Sequence, residues 1–100
     1  MRDYVKNEND GKWYAIDSCW TWDCGYETMI FACVRYPFPE GLTSRDCINF
    51  RDLYVEHYKD ESRMIERHKE IVKLFPQARL YFYDDDREEG YFDCEELGWV

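Results

Sequence analysis

The 100-residue chain has no apolar stretch longer than the six residues Met29-Ile30-Phe31-Ala32-Cys33-Val34. That is far short of the ~20 residues that a membrane-spanning helix requires. The opening Met1-Arg2-Asp3-Tyr4-Val5-Lys6 carries charges where a secretory signal needs an apolar core, so the expectation is a cytosolic protein without a membrane partner. A disulfide framework is also missing. The five cysteines, at 19, 24, 33, 47 and 94, are odd in number and irregular in spacing, which suits reduced thiols. No Gly-x-Ser-x-Gly elbow, no His-Glu-x-x-His and no phosphate-cradling glycine loop occurs, so the common signatures of acyl transfer, zinc proteolysis and nucleotide binding are absent. Bases are scarce too: 13 Lys and Arg stand against 22 acids, for a net charge of −9. Direct nucleic-acid binding is disfavoured, because phosphate recognition depends on clustered Lys and Arg.

What the chain does have is aromatic residues and a concentrated negative charge. Phe, Tyr and Trp make up 19% of it, each able to bury roughly 150–250 Å². That composition argues for a folded core rather than disorder, and a chain this short has room for one core only. The charge is uneven. Residues 84–96 hold eight acids and one base, leaving 14 acids and 12 bases in residues 1–83. Like charges this close repel and must be held apart by solvent, by fixed structure or by a basic partner. The chain therefore reads as a single domain over 1–100 with an acidic, aromatic-rich C-terminal segment at 84–100.

The pattern predicts an α+β fold: an antiparallel sheet of about four strands with one main helix packed on a face. Met64, Ile65, His68, Ile71, Val72 and Phe75 recur at helical spacing between charged residues, with Asp60 or Ser62 available as a cap and Pro76 as a stop. Glu27 to Tyr36 is apolar on both sides and reads as a central strand. Trp13 to Asp17 reads as its partner, and Ser18 to Gly25 as a loop carrying Trp20 and Trp22. Leu53 to Tyr58 suggests a strand feeding the helix and Arg79 to Tyr83 one leaving it. Residues 42–52 read as a short helix capped by Thr43 or Ser44.

No constellation names a reaction. Asp84, Asp86, Glu88 and Glu95 fall where a twelve-residue calcium loop places oxygens, but Glu89 occupies the obligatory glycine position and a strand precedes the loop where a helix is needed. Cys19 and Cys24 with His57 or His68 would supply a zinc set, yet two cysteines so spaced form a weak signature without a second close pair. The thiols sit among acids or apolar residues, which disfavours the thiolate that a Cys–His enzyme needs. No cofactor, no metal and no catalytic residue is therefore assigned. The candidates that remain are contact residues: Trp20 and Trp22 of the loop, and Asp84, Asp85, Asp86, Glu88, Glu89, Tyr91, Phe92, Asp93, Glu95 and Glu96 of the C-terminal segment. Interleaved acids and aromatics offer charge for steering and apolar area for residence.

The run Asp23-Cys24-Gly25-Tyr26-Glu27-Thr28-Met29-Ile30-Phe31, followed by Leu53-Tyr54-Val55-Glu56-His57-Tyr58 and a helix containing Glu66-Arg67-His68-Lys69-Glu70, resembles a recurring group of small, mostly uncharacterised proteins of bacterial phages and mobile elements. The likeness spans roughly residues 13–75 and transfers no catalytic residue. Cys24 and the acidic tail depart from the group's pattern. In character the chain is similar to anti-CRISPR proteins and other inhibitors of host defence, which would place it in the host cell cytosol. What this implies is a non-enzymatic inhibitor that binds a basic surface of a host protein, such as the nucleic-acid channel of a CRISPR effector, by setting acids where phosphates would sit. The alternative is a self-associating assembly module, a homodimer built through a sheet edge, with a solubilising tail.

Overall fold

A computed structural model describes residues 1–81 and 91–93, with Leu80, Tyr81 and Tyr91–Asp93 described by their backbone only. The strands β1 (Arg2–Lys6), β2 (Trp13–Thr21), β3 (Gly25–Cys33) and β4 (Ile48–Tyr58) form one antiparallel sheet in the order β1-β2-β3-β4. A short helix α1 (Ser44–Cys47) precedes β4, and the long helix α2 (Glu61–Leu74) follows it. After a 3-10 turn at Phe75–Gln77, β5 (Arg79–Tyr81) pairs with β6 (Tyr91–Asp93) in a separate two-stranded sheet. The α+β class and the single main helix on a four-stranded antiparallel sheet are as the sequence pattern predicts.

Helix α2 forms where its apolar spacing and caps direct. Asp60 is its N-cap: the Oδ1 atom accepts from Arg63 N at 2.8 Å, answering one of the free N–H groups of the first turn. Met64, Arg67, His68 and Ile71 of the helix are buried against the sheet. Cross-strand register decides what they meet, because residues directly opposite one another share a sheet face. Ile16 lies opposite Ile30 and Ile30 opposite Tyr54; Ser18 lies opposite Thr28 and Thr28 opposite Glu56. The first row joins Val5, Tyr14, Ile71 and Phe75 in the main core. Full burial of each such apolar side chain contributes about 1.5–3 kcal/mol.

Among the described residues, an apolar and aromatic cluster covers one end of the opposite face. There Ala15, Phe31 and Ile48 form a smaller core under Tyr4, Met29, Cys33 and Phe38. The segment after β3 turns back through a cis Tyr36–Pro37 peptide. It stacks Tyr36 on Tyr4 with ring centroids 4.7 Å apart, and sets Phe38 edge-on to Tyr4.

Three differences from the sequence pattern have physical reasons. First, Ser18–Thr21 is not loop but the end of β2, which leaves a three-residue turn at 22–24. Its polar residues look loop-like in sequence, yet the Ser18 hydroxyl is satisfied between strands and helix. Gly25, at φ +75°, takes the left-handed position that closes such a three-residue hairpin. Second, residues 42–52 contain a single helical turn capped by Thr43, and from Ile48 the chain is already β4. Third, the fourth strand of the main sheet is β1, not the strand at Arg79, which pairs with β6. The charged Arg2, Asp3 and Lys6 of this edge strand hide its apolar positions.

The β1–β2 connection is fastened to the far end of the helix by Asn7, which is fully buried. Its Nδ2 donates to the carbonyls of Phe75 and Ala78 at 2.9 and 2.8 Å, while its Oδ1 accepts from Asn9 N and Asp10 N. Every polar atom of that buried amide has a partner, as burial demands.

Candidate functional site

Two polar arrangements flank the sheet, and one of them has the residue types of a catalytic triad. His68 Nε2 donates to Asp3 Oδ2 at 2.7 Å, and its Nδ1 lies 2.6 Å from Ser18 Oγ, which in turn contacts Thr28 Oγ1. With Nε2 carrying the proton, Nδ1 accepts from Ser18 and Ser18 accepts from Thr28, so the row is internally consistent for a neutral ring. Ser18 and His68 are each only 1% exposed beneath α2. No substrate carbonyl reaches a hydroxyl buried in this way, so the row acts as a cross-link between helix and sheet. His68 is thereby committed to the core and is separated from Cys24 and Glu27, whose region lies on the hairpin and the other face.

Beside it, the Arg67 guanidinium is held by Glu56 at 2.7 Å through Nε and by Glu70 at 3.0 Å. Glu56 also accepts from the Tyr54 hydroxyl at 2.6 Å. Burial, and then this hydrogen bond, push the Tyr54 hydroxyl well above its ordinary value. The Tyr58 hydroxyl is buried and has no hydrogen-bond partner among the described residues.

The second arrangement is the β2–β3 hairpin tip. Trp20 is 60% exposed and Trp22 86%, so neither folds back onto the core. The turn between them and β3 is braced by Thr21 Oγ1, which accepts from Cys24 N at 3.3 Å. Cys24, at the end of the turn, is drawn toward Glu27 of β3 and His57 of β4. Glu27 pairs directly with His57 across β3–β4 and with Cys19 across β2–β3. The Cys19 thiol is pushed up by burial and then by the charges of Asp17 and Glu27; Cys24 moves the same way by desolvation and the charges of Asp23 and Glu27. Neither is an activated nucleophile as it stands.

The remaining contact candidates divide by position. The backbone of Tyr91, Phe92 and Asp93 forms β6, paired with β5. Asp84, Asp85, Asp86, Glu88, Glu89, Glu95 and Glu96 lie outside the described residues. Glu27 is the site residue that sequence reasoning passed over. Its alternation within the strand puts it on the Met29 and Phe31 face, a signal that a carboxylate sits among apolar neighbours. No family model matches the chain, and no curated protein or solved structure does either.

Proposed function

We propose that the chain is a non-enzymatic binding protein that docks on a basic surface of another protein. The observation that carries this reading is the pair of exposed tryptophans, Trp20 and Trp22, held out on a braced hairpin. Exposed tryptophan gains nothing in water, and it is among the residues that anchor protein interfaces. The acids of residues 84–96 supply the complementary part, long-range attraction toward a basic partner. The narrower reading, supported by charge and by the likeness to phage proteins, is an inhibitor of host defence that occupies the nucleic-acid channel of a CRISPR effector.

The test is inhibition of nucleic-acid cleavage by such effectors, with three forms of the chain side by side. The intact chain is expected to inhibit, more strongly at low salt. Neutralising Asp84, Asp85, Asp86, Glu88 and Glu89 together is expected to abolish inhibition, and Trp20→Ala with Trp22→Ala to weaken it. Inhibition untouched by neutralisation would sink the phosphate mimic. A second reading, self-association, draws on the eleven-residue β4, whose outer edge pairs with no strand among the described residues. Light scattering separates the two: a tight homodimer indifferent to salt and to neutralised acids favours the edge.

A further inference from the structure

Three ligand-type side chains from three neighbouring positions in the fold converge beside the hairpin tip. Cys24 Sγ, a Glu27 carboxylate oxygen and a His57 ring nitrogen all lie within 4.8 Å of one another. Cys24 comes from the β2–β3 turn, Glu27 from β3 and His57 from β4, and the direct Glu27–His57 register fixes two of the three on adjacent strands. The turn supplies the third, because Gly25 lets the chain reverse immediately after Cys24.

Glu27 makes this more than a chance grouping. It is 6% exposed, and among the described residues the side chain facing it is His57, with Nε2 at 3.2 Å and 55% of that side chain exposed. Taking a carboxylate out of water costs several kcal/mol, which a single contact to a solvent-exposed imidazole does not offset. A cation seated between carboxylate, imidazole and thiol would.

We propose that Cys24, Glu27 and His57 form a binding site for a divalent transition-metal ion, with Zn2+ the ion of best fit. The donor set decides the metal: thiolate with imidazole and carboxylate suits zinc, whereas calcium and magnesium take oxygen ligands. Zinc–ligand bonds of about 2.0–2.3 Å place tetrahedral ligand atoms roughly 3.3–3.8 Å apart. Rotation of the exposed Cys24 and His57 side chains closes the present spacing to that range. Three protein ligands leave a fourth position for water, and the bound ion would fasten the turn that carries Trp22 to β4. The site stands independently of the docking reading.

The experiment uses the full chain, stripped with a chelator and titrated with Co2+ and then Zn2+. One equivalent of Co2+ is expected to give a thiolate-to-cobalt charge-transfer band together with tetrahedral visible bands, both removed by Zn2+. Cys24→Ser and His57→Asn are each expected to abolish the charge-transfer band and weaken Zn2+ binding roughly 100-fold, and Glu27→Gln to weaken it roughly 10-fold. Asp84→Asn with Asp85→Asn and Asp86→Asn is expected to retain the site. Zinc should raise the melting temperature of the intact chain and leave that of Cys24→Ser unchanged. Circular dichroism of the zinc-free variants confirms that each is folded. Absence of the cobalt band would overturn the proposal, as would zinc binding that survives both Cys24→Ser and His57→Asn and disappears with the neutralised aspartates.

Discussion

The two faces of the main sheet carry similar chemistry under different cover. Toward α2, the polar groups Asp3, Ser18, Thr28, Glu56, Arg67 and His68 are joined in hydrogen-bonded rows that run between apolar side chains. On the other face an aromatic lid of Tyr4, Tyr36 and Phe38 covers one end, and at the other end the buried Glu27 meets the exposed His57. Glu56 and Glu27 are both strand carboxylates facing a nitrogen-bearing side chain. One is locked to a guanidinium that is 5% exposed, and the other meets an imidazole mostly in water. The exposure of the partner, rather than of the carboxylate, therefore separates a polar group that builds the fold from one that is available for a ligand.

The largest test of that contrast is apolar. Phe75→Ala, under the helix face where Phe75 is fully buried, is expected to lower stability by about 3–5 kcal/mol in urea unfolding. Phe50→Ala on the other face, where the ring is 49% exposed, should cost about 1 kcal/mol or less. Equal losses would break the comparison. The matched carboxylates come next. Glu56→Gln takes from the buried Arg67 one of its two counter-charges and is expected to cost about 2–4 kcal/mol, whereas Glu27→Gln in metal-free protein removes a buried charge that His57 does not offset and should be neutral or stabilising. A Glu27→Gln loss as large as that of Glu56→Gln would mean that the Glu27–His57 contact is structural. Smaller again, Trp22→Ser is expected to shift stability by no more than about 0.5 kcal/mol, since its side chain is almost wholly in solvent.

The smallest effect concerns pH. Hydrogen bonds from the Thr43 backbone and hydroxyl hold the Asp46 carboxyl below its ordinary value. A carboxylate depressed in the folded state adds stability above its unfolded value, and loses it as pH falls through the folded one. In an NMR titration Asp46 should therefore protonate at a lower pH than an ordinary aspartate, and Thr43→Val should raise that pH.

Legibility in the sequence followed the same division between faces. Helix α2 was legible because its stripe is long and its cap, Asp60, is local. Strand β3 was legible as central because Met29 to Cys33 is apolar on both sides. Strand β1 was not, since Arg2, Asp3 and Lys6 mask its single buried apolar residue, Val5, at an edge. Ser18 reads as loop chemistry until His68, fifty residues away, is known to lie against it. Local spacing likewise dismissed Cys19 and Cys24 as a zinc pair. The grouping of Cys24 with Glu27 and His57 depends on register, which no spacing along the chain encodes.

Asn7 has a consequence for the order of events when the chain folds. Its two carbonyl partners lie 68 and 71 residues further along, so the latch joins the earliest-made turn to the end of the last long element. Contacts of such high sequence separation form only after the intervening loop has been closed, at an entropic cost. A chain cut before Phe75 therefore lacks both carbonyls to which the Asn7 amide donates.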